Sequence, residues 1–345
     1  MQGIALYRKY RPKNFKEIIG QDHIVKVLEG VISLGNVSHA YLFAGSRGTG
    51  KTSIARIVAR ELKTAEIDVY EIDAASNRGI DDIRSIKESV HTLPFESKYK
   101  VYIVDEAHML TKEAWNAFLK TLEEPPSHVI FILATTELEK VPDTVLSRCQ
   151  VFQFKKPSRK ELKDLAVEIA KKEGFSLEPK AAELIALLGD GSFRDTQGIL
   201  EKVLSFSKDK KVTLSEVELV TGAPLSSLVL DFVCAVGEKN LEKALVALRS
   251  AEEGGGDIKI FLRLVLEQLR YALLLKISLD SKTFLSEIIS EEEMEALQKT
   301  SREGGGITSG TLLEFLNAYE LVGRSFEPSL PIELALVRVL SLERE

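Results

Sequence analysis

"HAYLFAGSRGTGKTSIARIVAR", residues 39–60, decides the fold. Its first seven residues form a short apolar run ending at Gly45, the pattern of a buried β-strand. From Lys51 onward, Ile54, Ile57, Val58 and Leu62 recur at helical spacing, which predicts a helix over 51–63. Between the two lies "GSRGTGKT" (45–52), which fills every fixed position of G-x-x-x-x-G-K-[ST] in the strand–turn–helix setting that pattern requires. Gly45, Ser46, Arg47, Gly48, Thr49 and Gly50 can turn their N–H groups inward around phosphate oxygens. The helix that follows adds a favourable end for anions. Lys51 is then the cation for the β- and γ-phosphates, and Thr52 a ligand for Mg²⁺.

Working outward, four further apolar runs are predicted as strands: "DVYEIDA" (68–74), "KVYIVDEAH" (100–108), "HVIFILATT" (128–136) and "CQVFQFK" (149–155). Helices are predicted between them over 79–93 and 111–126, the latter stopped by two prolines. Near-continuous Val, Ile, Leu and Phe strands joined by helices imply a five-stranded parallel sheet covered on both faces. In such sheets ligands bind beyond the carboxyl ends of the strands. Asp105 ends its strand there and is the second expected Mg²⁺ ligand, and Glu106 is placed to orient an attacking water. Thr135 or Thr136, ending the neighbouring strand, can hydrogen-bond the γ-phosphate or the water, or can be strand residues and no more. After Pro157 the strands are expected to cease: residues 158–175, 178–191 and 192–207 read as three short helices, and the chain beyond 220–227 is helical throughout. Boundaries are expected near 157 and 223.

Composition narrows the class. The 345 residues suffice for two or three domains; 44% are hydrophobic, 28% are charged, and the net charge is −6. No apolar run approaches bilayer length and the first residues lack a leader core, so the expected location is the cytoplasm, with no membrane partner. Two cysteines, Cys149 and Cys234, provide neither a disulfide framework nor a four-cysteine zinc site, so zinc is not expected. The basic group Arg8, Lys9, Arg11, Lys13 and Lys16 reads on charge alone as a solvated arm. "VLSRCQV" (145–151) pairs Arg148 with Cys149. Without a nearby base Cys149 reads as packing, whereas Arg148 is a cation suited to phosphate, in this chain or another. Arg194, early in a helix, is either a second phosphate-facing cation or half of a surface Arg194–Asp195 pair.

Taken together, "LYRKYRPKNFKEIIGQDHI" (6–24), residues 39–60, "EIDAASNRGIDDIR" (71–84), "KVYIVDEAHMLTKEAWNAFLKTLEEPP" (100–126), "FILATTELEKVPDTVLSRCQVFQF" (131–154) and "GDGSFRD" (189–195) resemble the clamp-loader branch of the AAA+ ATPases, in particular the gamma/tau family of bacterial DNA polymerase III subunits. The resemblance is carried by motifs through residue 222 and by helical character beyond it. It implies an AAA+ nucleotide-binding α/β domain over 1–157, a small helical lid domain over 158–222 and an all-α collar domain over 223–345 that joins subunits into a ring. It implies ATP and Mg²⁺ as cofactors, Arg11, Pro12, Ile19 and Gln21 around the adenine, Thr136 or its neighbour as first sensor, Arg194 as second sensor, and Arg148 reaching in trans to ATP on the adjacent subunit.

The implied activity is ATP hydrolysis that opens a sliding clamp and loads it onto primer–template DNA. The implied partners are delta- and delta-prime-type subunits, further copies of this chain, the clamp, and DNA held through its phosphates. Helix starts and bases near Arg78, Arg84 and Lys112 are candidate DNA contacts, and Leu93, Pro94 and Phe95 form either an apolar plug for the clamp or a loop folded on its own core. The four-cysteine zinc module usual in this branch is absent between the first helix and "EIDAAS". The competing reading is another replication or recombination AAA+ ATPase, such as a branch-migration motor.

Overall fold

The computed structural model describes residues 4–77, 79, 86, 88–277, 285, 289, 291–303 and 305–341. Five of the apolar runs become strands: β1 (Ala40–Ala44), β2 (Val69–Asp73), β3 (Lys100–Asp105), β4 (Val129–Thr135) and β5 (Gln150–Gln153). They pair in the order β2-β3-β4-β1-β5, every pair parallel. Central β1 and β4 are buried along their whole length, as expected of strands covered on both faces, whereas edge strand β2 alternates. Each strand is shorter than its apolar run, because the last residues of the run leave the ladder to form the turns that carry polar groups.

The register sets these turns side by side. Ala44 pairs with Thr135 and Asp73 with Asp105, so β1, β2, β3 and β4 end together along one edge of the sheet. One face packs through Leu42, Val104, Phe118, Phe131 and Leu133, and the other through Tyr41, Phe43, Ile54, Ile57 and Ile103. The helix Lys51–Glu61 covers the second face and Lys112–Glu123 the first; Thr111 caps the latter by accepting from Ala114 N. Of the helix predicted over 79–93, residues 86 and 88–90 are helical and 79 and 91–93 are not; residues 80–85 and 87, Arg84 among them, and Arg78 lie outside the described residues.

The chain divides into two compact units, Met1–Gly174 with Ile185–Glu201 and Phe175–Leu184 with Lys202–Glu345. The expectation that strands cease after Pro157 is corrected in the second unit, where Ser176–Leu177 and Lys211–Val212 pair in parallel. Two residues a side are too few to leave a periodic signal. Most of the rest of that unit is helical, its largest described helices being Ser226–Gly237, Leu241–Glu253, Ile258–Ile277, Glu291–Glu303, Ser309–Val322 and Leu330–Ser341. Phe232 is the hub of its core, edge-on to Phe261 at 5.2 Å and to Phe315 at 5.8 Å. Among the described residues no single helix is long and apolar enough to cross a membrane.

Candidate active site

The loop after β1 is shaped by glycine. Gly48 (φ +73°) and Gly50 (φ +101°) adopt conformations that side chains disfavour. A Cβ on Gly48 would lie 1.9 Å from Ser192 Oγ, and Gly48 O accepts from Phe193 N at 3.0 Å, so the loop is fastened to the start of the helix Phe193–Phe206. Lys51, only 6% exposed, donates from Nζ to Gly45 O (2.7 Å) and Ser46 O (2.9 Å). Burial pulls its ammonium below the ordinary lysine value, opposed by the carboxylates of Glu106 and Asp105.

Thr52 Oγ1 donates to Asp105 Oδ2 at 2.7 Å, joining the first turn of the helix to the end of β3. Asp105 Oδ1 accepts from Glu106 N at 3.0 Å. Glu106 itself sits at φ +49°, a left-handed turn that swings its side chain away from the line of the strand. Its Oε2 accepts from Thr136 Oγ1 at 3.3 Å and stands 3.5 Å from His108 Nδ1.

The loop from Arg47 to Thr52, with Asp105 and Glu106, lines a cleft of about 710 Å³. Of the predicted site residues, Arg11, Pro12, Ile19, Arg47, Gly48, Thr49, Gly50, Lys51, Thr52, Asp105, Glu106 and Arg194 face it. The Arg194 guanidinium lies 4.9 Å over the Tyr7 ring, a cation–π pair and not the Arg194–Asp195 pair that was its alternative. Gln21 departs from its expected place at the adenine: it is buried outside the cleft lining, and its amide donates to Lys155 O (2.8 Å) and accepts from Lys155 N (3.1 Å). Gln21 therefore braces the end of β5. Gly45 and Ser46 serve the cleft through the two carbonyls that hold Lys51, and Thr136 through Glu106.

Arg148 stands apart from this cleft. Its guanidinium donates to Glu123 Oε1 (2.6 Å), Thr144 O (2.6 Å) and Ser147 Oγ (3.1 Å). Burial pushes the neighbouring Cys149 thiol up to about 11, which disfavours the thiolate that a nucleophile needs. Lys112 is exposed at the start of its helix. Leu93 and Phe95 are 75% and 72% exposed, so this segment is not folded onto its own core.

Four residues escaped the sequence reading. His108, 7% exposed, places Nδ1 3.1 Å from Thr135 Oγ1 and Nε2 3.2 Å from Glu137 Oε1. Ser192 and Phe193 clasp the phosphate-binding loop. Glu71 lines the cleft and holds Arg56 through two hydrogen bonds of 2.7 and 2.8 Å. The "DEAH" tetrapeptide was the available signal for the first; nothing local marks the others.

Comparison with known proteins bears on this geometry. Residues 61–158 match the family model described as DNA polymerase III, delta subunit. The DNA polymerase III subunit gamma/tau of Mycoplasma genitalium is 37% identical over 96% of this chain and 61% of its own length. The subunit tau of Bacillus subtilis is 41% identical over 73% of this chain and 48% of its own, and that of Escherichia coli 34% identical over 98% and 55%. The chain thus spans about half to three fifths of the curated relatives it matches. Among solved structures, the Thermotoga maritima RuvB Holliday junction branch migration motor superposes with a TM-score of 0.52 at 24% identity, covering 72% of this chain and 86% of that one, a likeness of fold alone.

Proposed function

Since this chain belongs to the gamma/tau family of DNA polymerase III subunits, we propose that it is an ATPase subunit of a bacterial clamp loader, in which ATP binding and hydrolysis open a sliding clamp and load it onto primer–template DNA. The observation that carries the reading is the hydrogen bond from Thr52 to Asp105, which sets a hydroxyl and a carboxylate beside Lys51 and Glu106 in one cleft.

That donor set fits a magnesium nucleotide. Two oxygen ligands of the type Mg²⁺ takes lie within hydrogen-bond distance of one another, next to a loop of inward N–H groups. Thr52 and Asp105 would hold the ion, which when bound neutralises charge on the phosphates. Lys51 binds the β- and γ-phosphates, and Glu106, steadied by Thr136, orients the water. Arg11, Pro12 and Ile19 enclose the base, and Arg194 reports the γ-phosphate from the helix that clasps the loop. Arg148, outside its own cleft, supplies a cation to the site of the adjacent subunit.

We assign residues 1–157 to the nucleotide-binding domain, 158–222 to the lid and 223–345 to the collar that joins delta- and delta-prime-type subunits and further copies of this chain. Exposed Leu93 and Phe95 offer the clamp an apolar contact, and DNA is held through phosphates, Lys112 being one donor. Steady-state ATP hydrolysis of the assembled loader, with and without clamp and primed DNA, tests the proposal. Turnover should rise only when both are present. Stimulation by branched or duplex DNA without a clamp would favour the branch-migration reading instead.

A further inference from the structure

We propose that His108 is a positioning residue for Glu106, and that it ties the water-orienting carboxylate to the segment leading to Arg148. The inference rests on the reading of Glu106 given above.

Hydrogen-bond accounting carries it. Thr135 Oγ1 donates to Glu137 O (3.2 Å) and accepts from Glu137 N (3.0 Å). The same hydroxyl lies 3.1 Å from His108 Nδ1, which fixes that edge of the ring against the end of β4. The same Nδ1 faces Glu106 Oε2 at 3.5 Å. At the opposite edge Nε2 meets Glu137 Oε1 at 3.2 Å, and an ionised carboxylate can only accept. The ring thus stands between the two carboxylates, Nδ1 towards Glu106 and Nε2 towards Glu137. The side chain is only 7% exposed, so its neighbours fix the plane of the ring.

The link continues along the chain. Glu137 Oε2 is held by Lys140 Nζ at 2.7 Å, across the single turn Leu138–Lys140. The helix Asp143–Leu146 follows, and Arg148 N bonds back to Val145 O at 3.0 Å. The arginine proposed to serve the neighbouring subunit thus lies eleven positions beyond Glu137, the residue that meets His108 Nε2. A shift of this segment on subunit contact is felt at Glu106 through the ring.

The test uses three substitutions in the assembled loader with clamp and primed DNA, scored by kcat, nucleotide Kd and melting temperature. An asparagine amide stands where Nδ1 stood, and a glutamine amide where Nε2 stood. His108→Leu and His108→Gln should lower kcat on the order of 10- to 100-fold with Kd unchanged, while His108→Asn keeps most of the turnover. Equal loss in His108→Asn and His108→Leu, normal turnover in His108→Leu, or a parallel loss of nucleotide binding would each overturn the positioning role. Glu106→Gln separates the two readings. If it is inactive and His108→Leu is normal, only the His108 inference fails; if Glu106→Gln itself turns over normally, the role of Glu106 fails with it.

Discussion

Lys51 shows how little a single side chain does without its surroundings. Its ammonium is buried against two loop carbonyls and flanked by Asp105 and Glu106, so removing it takes away the cation that these groups surround. Lys51→Ala should therefore abolish detectable nucleotide binding, a loss of at least roughly 100-fold in affinity by equilibrium titration, because a charge-assisted contact of this kind is worth about 3 kcal/mol. Much of this site is legible in the sequence, because the loop's glycines, Lys51, Thr52, Asp105 and Glu106 are adjacent in motifs whose spacing encodes the geometry. Gln21 is not: it lies near the expected adenine-binding stretch, but its amide is consumed by the Lys155 backbone, a pairing 134 residues distant that no local pattern signals. His108 escapes for the same reason, since its partners Thr135 and Glu137 come from another strand end.

At the scale of elements, the projection at Leu93–Phe95 is held from both sides. Asp68 accepts from Phe95 N (2.6 Å), Ser97 N (2.9 Å) and Glu96 N (3.0 Å). Lys100, buried against the Tyr70 and Tyr102 rings, donates to Ser89 O and Thr92 Oγ1, and His128 Nε2 lies 3.1 Å from the carbonyls of Val90 and Thr92. The Asp68 carboxylate therefore gathers the N–H groups, while Lys100 and His128 hold the carbonyls of Ser89, Val90 and Thr92, which keeps two large apolar side chains in water without collapse. Burial works to raise the Asp68 carboxyl, but its hydrogen bonds outweigh that and hold it below the ordinary value. A lowered folded value means the stabilisation is complete above the unfolded carboxylate range, about pH 4, and is lost as pH falls through the folded value. Asp68→Ala should cost on the order of 2 kcal/mol at neutral pH and flatten the decline in stability between about pH 5 and pH 2, read by denaturant titration across that range. A decline as steep as in the unaltered protein would contradict this. The five strands could be read from their apolar runs; the short pair Ser176–Leu177 and Lys211–Val212 could not, because it is made by pairing and not by pattern.

At the scale of the whole molecule, the account turns on Arg148. The groups proposed to face phosphate gather around Lys51, while this arginine lies outside that cleft, tied to Glu123 at the end of another helix. That division makes sense for a chain that completes its neighbour's site and has its own completed in turn. The most direct test mixes Arg148→Ala chains into the assembled loader and measures ATP binding and clamp- and DNA-stimulated hydrolysis side by side. The account predicts unchanged binding with turnover lowered at least roughly tenfold, restored when the altered chain occupies only a position whose neighbour does not hydrolyse ATP. Undiminished hydrolysis in a loader built wholly from Arg148→Ala chains would contradict it.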